Sequence, residues 1–227
     1  MTSIPFSADA SGAELRPIGA YGMLADGSTA ALVSDQGSVD WLCFPRFDAP
    51  ALFARILDPA AGHWSIRPLN VIRHHRRYLP GTLVIETTFT TSTGSVTVTD
   101  ALAVAHGQRG HDLGLAAPHR LLRVVRGRLG QVTMLMEFAP RPAYGLVSPQ
   151  ILAVADGLRI HAGPHQIALS AGVALMIDGA TASGGFSVAA DESVGFCLDW
   201  APSGSRPPQP CAPSDVDARR IPVALPT

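Results

Sequence analysis

Apolar and polar residues alternate at a period of two through the middle of this 227-residue chain, and that alternation limits what it can fold into. In "TLVIETTFTT", starting at Thr82, Leu83, Ile85, Thr87 and Phe89 share one face while Val84, Glu86 and Thr88 share the other. Successive side chains of a strand point to opposite faces, so this is the pattern of a half-buried β-strand. "TSTG" then supplies turn residues and "SVTVTD" returns, which makes a hairpin. Similar runs follow: "RLLRVVRGR" from Arg120, "QVTMLMEFAP" from Gln131, "ILAVAD" from Ile151, "LRIHA" from Leu158, "QIALS" from Gln166, "VALMID" from Val173 and "ESVGFCLDW" from Glu192. Gly, Pro, Asp or Ser bounds each one, the residues that tolerate turn dihedrals. Many short strands at this spacing predict an all-β, antiparallel sandwich or barrel.

One short helix is expected. In "APALFARILD", from Ala49 to Asp58, Leu52, Phe53, Ile56 and Leu57 fall at helical spacing, Asp48 stands at the N-cap position and Pro50 suits a first turn. The chain divides into a flexible N-terminus over 1–16, a β-domain over 17–202, and a tail or linker over 203–227 that is rich in proline and lacks periodicity.

Composition excludes several functions. Net charge is −1 and all 17 basic residues are arginine, so the basic excess of a nucleic-acid surface is missing. The run His74, His75, Arg76, Arg77 is the local exception, and at period two it reads as a solvated sheet surface. No window approaches the roughly 18 apolar residues of a membrane span, and no leader pattern opens the chain. Cys43, Cys197 and Cys211 are odd in number and without ligand spacing, which argues against structural zinc and for a reducing cytoplasm. Cys197 reads as strand packing and Cys211 as an exposed thiol. No nucleophile elbow, phosphate loop or HExxH occurs, the histidines are scattered, and neither a cofactor nor a metal site is expected.

"GSVDWLCFPRFD", from Gly37 to Asp48, is the densest chemical segment, with Asp40, Trp41, Arg46 and Asp48 inside twelve residues. Flat aromatics suit the apolar faces of sugar rings, and carboxylates and guanidinium forks suit their hydroxyls. Glycoside cleavage needs two carboxyls about 5 Å apart for retention or about 6.5 to 9.5 Å for inversion. Asp40 and Asp48 meet that requirement only if the loop between them folds back. Glu86 and Glu137 lie opposite the apolar Ile85 and Phe138 and are expected at the solvent face. Trp64 and Trp200 read as core or sheet-edge aromatics.

From Ile18 to Asp58 the order "TAALVS", "GSVDWLCFPRFDAP", "LFARILD" resembles the trehalase-like N-terminal domain of bacterial and archaeal family 15 glycoside hydrolases, the glucoamylase and trehalase group. The resemblance continues through "RRYLPGTLVIETTF", "VTVTDAL", "RLLRVVRG" and "FAPRPAYG", covering about Pro17 to Trp200. It implies a super-β-sandwich. It also implies that an inverting hydrolysis of α-glucosidic bonds is carried by two glutamates of a C-terminal (α/α)6 barrel, which no residue here matches. The expected partner is that barrel, in cis or in trans, or a second copy, with glucosides as candidate ligands. On this resemblance Asp40, Trp41, Arg46 and Asp48 either shape a sugar subsite or hold the domain interface. The alternative is a mere strand-to-helix corner, and a stand-alone carbohydrate- or protein-binding module remains open beside the hydrolase domain.

Overall fold

The computed structural model describes residues 16–108, 110–205 and 208, so the expectations for the first fifteen residues and for Cys211 lie outside the described residues. Among the described residues, fifteen strands and two short 3-10 turns follow one another in chain order. The expected hairpin forms from β7 (Ile85–Thr90) and β8 (Gly94–Leu102), with Ile85 opposite Asp100 and Thr90 opposite Ser95. Ile85, Thr87 and Phe89 turn inward, as the alternation requires.

"RLLRVVRGR" and "QVTMLMEFAP" are not two strands but one. Strand β9 (Arg120–Ala139) is 20 residues long, and its two halves belong to different layers. Its first half pairs with β8 and with β15 (Ser193–Pro202). Its second half pairs with β5 (His63–Pro68) and β14 (Thr181–Ala189). Between them Gly130 takes a left-handed φ of 63°, and a Cβ there would sit 2.1 Å from the Thr93 carbonyl oxygen. Only glycine allows the strand to bend at that point.

Two antiparallel layers result. One carries β1 (Tyr21–Ala25), β2 (Ala30–Ser34), β3 (Ser38–Cys43), β4 (Ala51–Phe53), β5, the end of β9, β14 and β13 (Met176–Asp178). The other carries β6 (Arg73–Tyr78), β7, β8, the start of β9, β15, β12 (His165–Ala171), β11 (Gly157–Ala162) and β10 (Gln150–Val154). Leu24, Val33, Val39, Leu42, Trp64 and Ile66 of the first layer share one buried cluster with Ile85, Phe89, Val96, Leu121 and Phe196 of the second. That shared cluster makes the two layers a sandwich.

The helix expected over Ala49–Asp58 is absent. Ala51–Phe53 is instead a strand on β3, with Phe53 opposite Leu42 and Cys43 opposite Ala51, and a turn follows. A neighbouring strand offered backbone partners that a three-turn helix would have forgone, and tertiary pairing outweighed local spacing. Leu57, which the helix would have buried, is 62% exposed.

Inside the sandwich, Arg123 is wholly buried. Its Nε donates to Asp100 Oδ1 at 2.8 Å, Nη1 to the Trp64 carbonyl at 2.7 Å and Nη2 to the Gly37 carbonyl at 2.8 Å. The guanidinium also stands 5.0 Å from the Trp64 ring centroid. Strand β9 thus bonds across the core to the opposite layer. Arg123→Met strands the Asp100 charge and takes a donor from the Trp64 and Gly37 carbonyls, so urea unfolding should show a loss of about 3 to 5 kcal/mol, or no folding at all. The double variant Arg123→Met, Asp100→Leu should recover much of that loss.

Candidate functional site

Strand β3 carries the first two residues singled out in the sequence, and its pairing with β2 sets where they point. Val33 faces Val39 and Leu32 faces Trp41, so Asp40 is an extra residue, a β-bulge. Strict alternation from Val39 would send Trp41 inward and Leu42 outward. The bulge reverses that. Val39 and Leu42 are both fully buried in the core, and Asp40 and Trp41 are neighbours on the outer side of the layer.

Asp40 is only 2% exposed, and donors surround it. The Tyr21 hydroxyl donates to Oδ2 at 3.0 Å, the Ser38 hydroxyl donates to Oδ1, and Arg55 Nη1 stands 3.9 Å from Oδ1. Burial, reinforced by the adjacent carboxylate, pushes the Tyr21 phenol up to about 12, so it stays a donor. Arg55 Nη1 also reaches Ser38 Oγ at 3.5 Å, while its Nε is buried without a partner. Burial draws the Arg55 pKa down, and the charges of Asp40 and Glu137 oppose that.

A second acid belongs to the same group, contrary to expectation. Glu137 does not stand free at the solvent face. Its Oε1 accepts from Nε2 of the buried His63 at 2.9 Å, across the diagonal between β5 and β9. The His63 hydrogen bond holds the Glu137 carboxyl below its usual range, and burial holds His63 below its own. Glu86 is likewise engaged rather than free, accepting from Arg77 Nε at 2.9 Å and Nη2 at 2.7 Å.

Trp41 is half-buried and meets Tyr144 at a ring separation of 6.3 Å and a tilt of 49°. Tyr144 and its neighbour Ala143 hold φ angles of 58° and 52°, a left-handed pair that costs on the order of 1 to 3 kcal/mol per residue. The other two predicted residues lie apart from this group. Arg46 Nε donates to Asp48 Oδ1 at 3.0 Å, and both side chains are mostly in solvent on the loop after the cis Phe44–Pro45 bond. Asp48 caps no helix. Burial, then the Asp48 charge, pushes the Cys43 thiol up to about 11 and keeps it protonated and inert.

The fold therefore joins Asp40 and Trp41, leaves Arg46 and Asp48 as an exposed pair, and adds Tyr21, Arg55, His63, Glu137 and Tyr144. One acid is enclosed by donors and the other stands in solvent beside its own arginine, so neither is a free carboxylate facing the other across a bond. The arrangement suits hydrogen bonding and rigid presentation. No group of three His, Cys, Asp or Glu side chains fit for a metal occurs among the described residues.

Both depressed groups lose stability in the same direction. His63 binds its proton more weakly folded than unfolded, so stability falls as pH drops below the ordinary imidazole value near 6.5. Glu137 adds a further fall below its ordinary value near 4.5. Thermal midpoints measured from pH 8 to pH 4 should decline in those two stages. In His63→Gln the upper stage should shrink to what His119 and His165 contribute, since burial lowers both of those imidazoles too, and the lower stage should shrink with it, because the His63 hydrogen bond is the main cause of the Glu137 depression.

The profile of the family described as trehalase-like, N-terminal, matches residues 9–194. A trehalase of Mycolicibacterium smegmatis is 42% identical over 142 residues, which are 58% of this chain and 21% of that protein. A trehalase of Mycobacterium tuberculosis is 42% identical over 134 residues, 55% of this chain and 20% of that protein. Trehalase 1 of Sulfolobus acidocaldarius is 34% identical over 146 residues, 64% of this chain and 23% of that protein. The chain spans about a fifth of the curated relatives it matches. With an all-antiparallel fold and a profile that runs through most of its length, this chain belongs to the trehalase-like N-terminal domain family.

Proposed function

We propose that this chain is the non-catalytic β-sandwich domain of a family 15 glycoside hydrolase of the trehalase or glucoamylase type, packing on an (α/α)6 catalytic barrel and helping to shape its active site. The observation that carries this reading is the extent of the matches: proteins named trehalase align with this chain over only 20 to 24% of their own length. The state of the acids supports it, since Asp40 is held by Tyr21, Ser38 and Arg55 and Asp48 by Arg46. Asp40 and Trp41 then serve as rigid parts of a subsite or interface, with Arg46 and Asp48 beside them on the loop. The buried thiol of Cys43, which is in no disulfide, fits a cytoplasmic protein.

A second reading, a stand-alone carbohydrate-binding module, draws support from the half-exposed Trp41–Tyr144 pair. One assay separates these readings from an independent hydrolase. The purified chain and its Asp40→Asn and Asp48→Asn variants are incubated with trehalose, maltose and dextrin, with glucose release and tryptophan fluorescence both recorded. The expected outcome is no glucose above blank and no fluorescence change. A fluorescence change that saturates with sugar and is lost in Trp41→Ala would favour the binding module. Turnover abolished in both Asp variants would sink the non-catalytic reading.

A further inference from the structure

The two ends of the sandwich are unlike. At one end lie tight turns, such as 35–37 between β2 and β3, 91–93 between β7 and β8, and 190–192 between β14 and β15. The last two of these meet at the bend of β9, where Gly130 abuts Thr93 and the Gly127 amide donates to the Glu192 carbonyl at 2.9 Å. At the other end lie the long connections 44–50, 103–119 and 140–149. Long loops on a rigid scaffold are where binding function concentrates.

These connections form one surface. The Phe47 amide donates to the Ser28 carbonyl at 3.1 Å, and the same β1–β2 turn packs at Gly27 against the backbone of Leu113 and Gly114. The Arg141 amide donates to the Leu52 carbonyl at 2.9 Å and the Tyr144 amide to the Ala51 carbonyl at 3.3 Å. Each connection lifts a large apolar side chain into solvent: Phe47 is 67% exposed, Leu115 79%, Tyr144 49% and Leu146 87%. Among the described residues, three of the four non-glycine residues at positive φ, His119, Ala143 and Tyr144, also lie here. Apolar side chains held out on strained backbone lose stability in an isolated domain and gain it only when covered.

We infer that this long-loop end, centred on Phe47, Tyr144 and Leu146, is the face on which the other four-fifths of a trehalase-type polypeptide docks. The inference rests on the reading proposed above. The direction of the chain identifies the occupant. Strand β15 ends at Pro202, opposite His165, and its Trp200 amide donates to the His119 carbonyl at 3.1 Å. The chain therefore leaves the sandwich at the long-loop end, and whatever follows it in the longer relatives starts there. The exposed Arg46–Asp48 pair supplies the polar fringe that such a face carries around an apolar centre.

The opposite end also exposes apolar residues, Ile72 at 70% and Leu129 at 68%, which makes them internal controls. The probe is Mycolicibacterium smegmatis trehalase from which the region matched by this chain has been deleted. It is titrated with the full 227-residue chain and followed by sedimentation and by glucose release from trehalose. All four variants, Phe47→Asp, Leu146→Asp, Ile72→Asp and Leu129→Asp, are first checked for unchanged thermal midpoints, as their exposure predicts. Complex formation should be weakened roughly tenfold or more by Phe47→Asp and by Leu146→Asp and left intact by Ile72→Asp and Leu129→Asp. A wild-type complex insensitive to Phe47→Asp and Leu146→Asp would overturn the docking face and leave the trehalase-domain reading standing. Failure of the wild-type chain to bind at all would overturn both. Self-association of the chain, abolished by Phe47→Asp, would name a second copy as the occupant and overturn the inference.

Discussion

Everything on the outer surface depends on one ion pair inside. Arg123 and Asp100 face each other across β8 and β9, fully enclosed between the layers, and the guanidinium spends its remaining donors on the carbonyls of Trp64 and Gly37 in the opposite layer. A buried pair of this kind contributes little net stability, because desolving both ions offsets their attraction. Its effect is on position. Gly37 is the residue before β3, its own amide bonds to Ser34, and its carbonyl also receives the Ile66 amide. Shifting that corner by one residue would strand the arginine, so the register at which β3 starts is fixed from within. Because Asp40 is the bulge three residues later, the interior bond decides which side chains reach the outer face.

The single long strand serves the same end. Two sheets that meet only through side chains can slide over one another, since apolar contacts are not directional. Here β9 belongs to both, pairing first with β8 and β15 and then with β5 and β14. The layers share a backbone and cannot change register independently. That rigidity is what lets His63 on β5 and Glu137 on β9 meet at 2.9 Å without a loop to bring them together.

How much of this was legible in the sequence depends on the range of the interaction. The hairpin over Ile85–Leu102 follows from local alternation and turn residues alone, and it stands as read. The helix over Ala49–Asp58 failed because the same residues also fit a strand, and only the proximity of β3 decides between them. Asp40 and Trp41 were recognisable by chemistry, but their shared face was not, because a bulge adds one residue to a count that the sequence displays as unbroken alternation. Arg55, His63 and Glu137 escaped for a related reason. Each sits in an unremarkable context, and what joins them is pairing between strands far apart in the chain. The available signal was Glu137 between buried Met136 and Phe138, the one charge in the second half of β9, and a charge there needs a partner.

The charges around Asp40 are placed in a way that bears on any docking at this surface. Bringing a partner onto an exposed carboxylate and arginine strips water from both, and that desolvation is subtracted from the affinity. Asp40 is already dry and already hydrogen-bonded by Tyr21 and Ser38, and Glu137 already accepts from His63. Much of that cost has thus been met during folding, where the cooperative core supports it, rather than at the moment of association. What such a surface offers a partner is a fixed set of dipoles beside the Trp41 and Tyr144 rings, with the Arg55 Nε donor still unsatisfied near Asp40. Preorganisation of this kind favours specificity over raw affinity, since only a partner whose groups fit a geometry that cannot relax gains from it.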